Sequence, residues 1–386
     1  MKRPSQSAII LLIGTLFTRT AMFMSVPFLA IYLSNIIQLS TIEIGYIIGV
    51  NPLSNVLVSL FIGRVIDRID LKKILIITPV CWGVIFILFT QIDTFLGFIL
   101  LNGLNGMCYA IYEPATKKAL SQSTAAQNKL FIFNFRYAAI NIGAISGPIL
   151  SVWLGFKNSI KPYAILGILY MIVGGMNFFL NNHLEKKVPI KQASSMEKKS
   201  SSKHLSFILL LLGVSCSYFG YSQFNSSIAQ YLSNLGTNGV EIYSSLLSLS
   251  AIIIVIFQYP VLRLTKQRSS VLVLILSNVL FSLCLFTAIS FPTSIGFILF
   301  TLFYSLAELL LGSRFDYAVD QLASEENKAL YFSWSELIKL GTTVGPVVSG
   351  FLISQIGWNS YGVIFILLGF ITLIGTVLLS VLERLT

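Results

Sequence analysis

Charge is scarce in this sequence. Only 11% of its 386 residues are Asp, Glu, Lys or Arg, against roughly a quarter in an ordinary soluble domain. Hydrophobic residues make up 55%, and the mean hydropathy is +0.83. A soluble core could not absorb that much apolar surface, which excludes a soluble enzyme. Histidine is limited to His183 and His204, neither with ligand spacing. Cys81, Cys108, Cys216 and Cys284 are isolated from one another, so neither a metal centre nor a disulfide framework is expected, and the thiols read as packing residues. There is no Gly-rich phosphate loop with its Lys, which argues against an ATP-driven pump. No nucleophile constellation or cofactor motif suggests an enzyme.

What is abundant is long apolar runs. They fall at residues 8–33, 41–62, 74–91, 95–118, 129–156 and 161–181, and again at 205–233, 240–262, 271–290, 294–318, 328–356 and 358–382. Each can cross a bilayer, which takes about 20 residues per helix. The expected fold is an all-α membrane protein with twelve transmembrane helices in two pseudo-symmetric six-helix bundles. The first span has no small-residue cleavage pattern and reads as a retained helix. Alternating the loops between two sides collects 21 of the 26 Lys and Arg on one side. Lys157 and Lys161 lie on the other, and Arg19, Arg136 and Lys339 lie within spans. This bias places both termini and the central loop in the cytoplasm, and the Ile-, Lys- and Asn-leaning composition suggests a bacterial chain, hence a plasma membrane. The formal charge of +11 is therefore topology. It does not point to nucleic acid.

Residues 182–204, rich in Lys and Ser, are the one long polar stretch. They read as a basic cytoplasmic linker between bundles 1–181 and 205–386, either a solvated tether or in part a surface helix. The halves echo each other. Gly143 precedes Gly147-Pro148 in the fifth span as Gly341 precedes Gly345-Pro346 in the eleventh, and Ala119-Leu120-Ser121-Gln122 parallels Ala318-Val319-Asp320-Gln321. A six-helix unit duplicated in parallel places a substrate cavity near mid-membrane between halves that rock.

The loop after the second span reads Gly63-Arg64-Val65-Ile66-Asp67-Arg68-Ile69-Asp70-Leu71-Lys72-Lys73. It resembles the signature loop of the major facilitator superfamily. Physically, Gly63 permits a tight turn or a close helix approach, and Asp67 can accept hydrogen bonds from amides at a neighbouring helix N-terminus. The resemblance implies a cytoplasmic gate of Gly63, Asp67 and Arg68 that latches the outward-open state; the alternative is that the charges serve topology alone. The matching stretch of the second half, Pro260 to Lys266, has neither the Gly nor the Asp. The segment from Gly143 to Pro148 is similar to the fifth-span motif of the antiporter branch, although Ser151 and Val152 replace its terminal Gly pair. Packing by Gly143, Gly147, Pro148, Gly341, Gly345 and Pro346 is the other reading. In the fourth span Asn102-Gly103-Leu104-Asn105-Gly106 lacks the Arg of many drug/proton antiporters, whereas Glu113-Pro114 resembles an acidic-Pro pair of a subgroup of multidrug exporters. The chain as a whole resembles the twelve-span bacterial drug/proton antiporters.

Charges inside spans are costly unless they face a cavity or a partner. Six stand out: Arg19, Glu113, Arg136, Glu308, Glu336 and Lys339. Glu113 and Arg136 lie at about 10 Å and 12 Å from the cytoplasmic helix ends, close enough in depth to pair, with Arg19 near mid-membrane. Glu336 and Lys339 share a helix face. Each half thus offers an acid on its fourth helix and a base on its fifth, consistent either with a duplicated proton-coupling network or with static ion pairs. Burial of a carboxylate favours its protonated form, and Glu308 is the first candidate for a proton carrier, Glu113 the second. Asn102, Asn105, Asn134, Asn141, Tyr218, Tyr221, Gln223, Asn225 and Tyr304 either line the cavity or make interhelical hydrogen bonds.

These readings converge on a secondary transporter exporting amphipathic small molecules in exchange for protons by alternating access. A dedicated exporter of one endogenous metabolite, such as a siderophore, a sugar or a peptide-like product, is the alternative; a non-transporting membrane sensor is a third. The expected partners are a small-molecule substrate, protons and the lipid bilayer, with the chain acting as a monomer.

Overall fold

A chain that crosses a bilayer must satisfy its backbone polar groups internally, and here the apolar runs do so as helices. The computed structural model describes residues 5–39, 41–154, 159–180, 197–233 and 239–385. The first six helices are α1 (Gln6–Asn35), α2 (Thr41–Arg68), α3 (Leu71–Leu88), α4 (Phe95–Gln122), α5 (Lys129–Trp153) and α6 (Tyr163–Asn177). Then come α7 (Glu197–Gln223), α8 (Ala229–Ser233), α9 (Gly239–Thr265), α10 (Ser270–Thr287), α11 (Ser294–Leu322), α12 (Lys328–Ser335), α13 (Leu340–Ile356) and α14 (Tyr361–Leu385). A π-helical turn, Phe224–Ile228, joins α7 to α8, and a 3₁₀ turn, Glu336–Lys339, joins α12 to α13. Seventh and eleventh spans are therefore each interrupted once. Ten helical stretches among the described residues are long and apolar enough to cross a membrane, and α5 with the shorter apolar α6 completes the twelve expected. Side-chain caps start several of them: Asp70 accepts from the Lys72 amide at 2.9 Å to open α3, and Ser269 from the Leu272 amide at 3.0 Å to open α10.

The described residues form two compact units. In the first, α1 packs on α5, α2 on α4 and α3 on α6; in the second, α7 packs on α13, α9 on α11 and α10 on α14. The pairing scheme is the same in both, as a duplicated unit requires. Glycine sets the closeness of the first pair: a Cβ on Gly143 would come within 2.9 Å of Arg19 Cβ, and one on Gly147 within 2.7 Å of Phe23 Cβ. Gly341 and Gly345 meet α7 in the same manner, at Tyr218 and Ser222. Pro148 and Pro346 lie within α5 and α13.

The units do not divide only at the linker. Ala323–Glu336, the start of the eleventh span, belongs to the first unit, and Leu337 onward to the second. The reason is a dense set of polar ties. Asp67 at the end of α2 accepts from the amides of Ala329 and Leu330, both at 3.0 Å, capping α12, and its carboxylate also binds Lys118 at 2.6 Å. Ser333 donates to the Ser59 carbonyl at 2.5 Å and Trp334 to the Leu60 carbonyl at 3.0 Å. At Gly63 a Cβ would lie 2.5 Å from Leu330 Cα, so only glycine admits α12 this closely. Of the linker, residues 182–196 and with them His183 lie outside the described residues, whereas 197–204 form the first turns of α7. Lys157 also lies outside them. The thiols of Cys108 and Cys284 are buried, but Cys81 is exposed, so packing explains only part of the cysteine set.

Candidate functional site

In the first unit five buried ionisable side chains meet. Glu113 on α4 receives Arg19 of α1 at 2.6 Å and the guanidinium of Arg136 on α5. Local geometry makes this possible. Arg136 and Gly143 are two turns apart on α5, hence on one face, and Gly143 seats that face against the Arg19 turn of α1. Lys117, one turn beyond Glu113 on α4, lies 3.8 Å from Glu113 and 2.9 Å from Glu336. All five are less than a tenth exposed. At such burial, ion pairs persist only when every charge is compensated.

Beside this cluster lies a cavity of about 10 Å³, the space of about one water molecule. Arg19 and Glu113 form its polar wall, and Thr18, Met22, Trp82, Tyr109 and Tyr112 the rest. The Arg19 guanidinium donates to the Tyr109 hydroxyl at 3.0 Å and sits 5.0 Å from the ring centre, a cation–π arrangement. Trp82 stacks on Tyr170 with centroids 4.4 Å apart and meets Tyr109 and Tyr112 edge-on.

The second unit is built differently at the corresponding place. Tyr221 of α7 stacks on Tyr304 of α11 at 5.6 Å and meets Tyr218 and Phe281 edge-on. Glu308, one turn beyond Tyr304, is near enough for its charge to act on both Tyr221 and Tyr304. Phe224, which opens the π turn, packs on Tyr304 at 4.6 Å. Gln223 is fully buried and donates to the Phe219 carbonyl at 3.0 Å, while Asn225 is exposed and accepts from Tyr243 at 2.8 Å.

Alignment of the repeats corrects the expectation of a duplicated charge network. Counting from Ala119 and Ala318, Glu308 corresponds to Tyr109, and the counterpart of Glu113 is Gly312. Gly143 seats on Arg19 where Gly341 seats on Tyr218. The first unit thus holds Arg and Tyr where the second holds Tyr and Glu. Glu336 belongs with Lys117 in the first unit, while Lys339 falls in the second.

The polar candidates sort by contact. Asn102 donates to the Ile47 carbonyl at 2.6 Å and accepts from Asn51 and Asn105; Asn105 accepts from the Trp82 indole at 2.6 Å. This amide chain ties α2, α3 and α4 together. Asn134 is buried, and the Asn141 amide nitrogen is enclosed with no hydrogen-bond partner among the described residues. Arg68 stands exposed at the last turn of α2. Sequence reasoning missed Lys117 and Lys118, counted among the inner-face charges, and the aromatic wall of Trp82 and Tyr109. For Lys117 the four-residue spacing from Glu113 was the available signal.

Known proteins share this architecture. The profile of the Major Facilitator Superfamily matches residues 11–339 and 210–385. An uncharacterized MFS-type transporter of Bacillus subtilis, YqjV, is 33% identical over 95% of this chain and 90% of its own. A Na(+), Li(+), K(+)/H(+) antiporter of Planococcus maritimus is 24% identical, over 93% and 91% respectively. Multidrug resistance protein 2 of Bacillus subtilis is 22% identical, over 82% and 81%. Among solved structures, a bacterial homologue of the iron transporter ferroportin superposes with a TM-score of 0.76 at 16% identity, covering 98% of this chain and 100% of that one. On its sequence, its duplicated helix pairs and these likenesses, the chain is a multi-pass membrane transporter of the Major Facilitator Superfamily.

Proposed function

We propose that the protein exports amphipathic small molecules in exchange for protons, by alternating access, from a plasma membrane with both termini on the cytoplasmic side. The observation that carries this reading is a carboxylate within the spans beside an aromatic wall in each unit: buried Glu113 at the cavity of the first, and half-buried Glu308, one helical turn from Tyr304, in the second. A carboxylate deep in a membrane protein is costly unless it serves a path for charge. Rings beside it suit an apolar ligand.

Glu308 is the proposed proton carrier. Protonating Glu113 would strand two buried guanidiniums, Arg19 and Arg136, whereas tyrosine hydroxyls beside Glu308 can serve either protonation state as donors or acceptors. Gly63, Asp67 and Arg68 are the proposed cytoplasmic gate, with the cap on α12 as its closed contact. The multidrug resistance and cation/proton antiporter relatives are compatible with this assignment.

The test is substrate-driven pH change in proteoliposomes, using ethidium as the probe. Glu308→Gln should abolish the pH change while leaving the protein folded. Unchanged coupling in both Glu308→Gln and Glu113→Gln would discard proton exchange through these acids. Reduced accumulation of several unrelated dyes in an efflux-deficient host is expected; an effect on a single compound would favour a dedicated metabolite exporter.

A further inference from the structure

Trp82 of α3 is held from two sides. Its ring stacks on Tyr170 of α6 with centroids 4.4 Å apart and planes 26° from parallel, and its indole N–H donates to the Asn105 side-chain oxygen at 2.6 Å. The two contacts restrict different motions. A stack fixes the plane of a ring but lets it slide and turn within that plane. A directed hydrogen bond at the indole nitrogen removes that freedom. Trp82 lines the cavity beside Arg19 and Glu113; Asn105 stands behind it.

The helices are set to make both contacts. A Cβ on Gly83 would lie 2.5 Å from the Gly167 carbonyl oxygen, and one on Gly167 would lie 2.6 Å from that of Gly83. This approach of α3 to α6 brings Trp82, next to Gly83, onto Tyr170, about one turn from Gly167. Tyr170 is anchored in turn, donating to the Thr18 carbonyl at 3.2 Å. On the other side a Cβ on Gly106 would run into the Asn51 carbonyl oxygen, so only glycine lets α2 close on α4 there. Asn105 donates to the Asn102 side-chain oxygen at 3.1 Å, and Asn102 to the Ile47 carbonyl of α2 at 2.6 Å. Amides buried this deep are costly unless paired, and apolar packing alone would not call for them. The segment from Asn102 to Gly106 thus ends on one side at the α2 backbone and on the other at the indole.

We propose that Asn105 is a positioning residue for ligand selectivity: by fixing Trp82 within its stacking plane it presents a rigid indole to the cavity, and the first unit thereby favours ligands with a flat aromatic ring system over ligands of equal charge without one. This deepens the reading of the cavity as part of the export site and rests on that reading for the choice of probe. A wall already fixed in its binding orientation loses little freedom when a flat ring meets it. Tyr109 and Tyr112 meet Trp82 edge-on, so the orientation of the indole also sets the other two rings of the wall.

The test is binding of ethidium and of tetraphenylphosphonium, equal in charge, to the purified full-length protein. Asn105→Leu should weaken ethidium about fivefold, the worth of one hydrogen bond, and tetraphenylphosphonium by less than about twofold. Asn102→Leu breaks the amide chain without touching the indole and should keep the ratio of the two affinities. In the Trp82→Phe background Asn105→Leu should change the ratio no further. Fluorine NMR of the fluorotryptophan-labelled protein supplies a signature that needs no ligand: the Trp82 resonance, identified by its loss in Trp82→Phe, should shift and broaden in Asn105→Leu and stay put in Asn102→Leu. Size-exclusion profiles select folded variants. Should Asn105→Leu not fold, benzothienylalanine in place of Trp82 exchanges the indole N–H for sulfur, removes the same hydrogen bond and should give the same loss of ethidium preference. An unchanged ratio in a folded protein lacking the hydrogen bond, equal changes in Asn102→Leu and Asn105→Leu, or no ethidium binding to the unaltered protein would overturn the assignment. A shifted ratio in a protein that shows no ethidium-driven pH change would count against export and leave the assignment standing.

Discussion

Gly143 of α5 lies against Arg19 of α1 so closely that a methyl group at Gly143 would sit 2.9 Å from Arg19 Cβ and 2.9 Å from the Thr20 backbone nitrogen. The contact is with backbone as well as side chain, so α1 itself must shift to admit anything larger. Gly143→Ala is therefore expected to destabilise by about 1–3 kcal/mol, the usual cost of overpacking. Because the shift moves the Arg19 turn, the substitution should also loosen the Arg19–Glu113 pair. Thermal unfolding in detergent measures the first effect, and a further loss from Arg19→Met that is smaller in the Gly143→Ala background measures the second.

The buried cluster makes a prediction about order. Glu113→Gln leaves two guanidiniums without their shared acid, whereas Arg19→Met leaves Glu113 with Arg136. Removing one partner of a buried pair costs about 3–5 kcal/mol. Glu113→Gln should lie at or above that range and Arg19→Met below it, with the double variant less destabilised than the sum of the two. A thermal double-mutant cycle decides; equal losses in both single variants would contradict the shared-acid geometry.

Asp67 serves both a cap and an ion pair, through both of its carboxylate oxygens. Asp67→Asn retains an oxygen for only one of the two α12 amides and gives up the charge that binds Lys118, and Asp67→Ala gives up all three contacts. Loss of a cap costs about 1 kcal/mol. Maleimide labelling of Asn327→Cys, exposed just before α12, should accelerate in Asp67→Asn and more so in Asp67→Ala.

Asn102 was one of the candidates for the cavity, yet its side chain is committed to Ile47, Asn51 and Asn105. Asn102→Leu is expected to lower stability by about 1–2 kcal/mol, while ethidium transport per folded molecule stays unchanged. A transport defect without a stability loss would return Asn102 to the substrate path.

Much of this architecture could be read from the sequence because the bilayer leaves a chain so few options. Each long uncharged run had to be a helix, and the repeated Gly-x-x-x-Gly-Pro marked two helices built for close packing, though not the partners they pack against. Arg19, Glu113 and Arg136 stood out for the same reason: charge is conspicuous where lipid surrounds it. Lys117 and Lys118 did not stand out. They are adjacent, near the inner end of α4, and a basic pair there fits the positive-inside pattern without further thought. Only three-dimensional packing shows that one turns to Glu336 and the other to Asp67. The allegiance of Ala323–Glu336 was hidden likewise, since nothing in its hydropathy distinguishes a helix that belongs to its own half from one held by the other. The repeat itself misled once. An acid on the fourth helix and a base on the fifth of each half suggested equal positions, but the charged side chains differ in position between the halves while the glycines that seat the helices correspond.

The π-helical turn Phe224–Ile228 has a practical bearing on any attempt to exchange pieces of the two halves. A π turn accommodates one residue more than the α-helix would, which rotates everything beyond it by about 100° about the axis. A graft of α1 onto α7 keeps its register up to Gln223. Past that point the same fixed offset presents the wrong flank, and a swapped segment needs one residue removed or added there before its side chains face the neighbours they had at home.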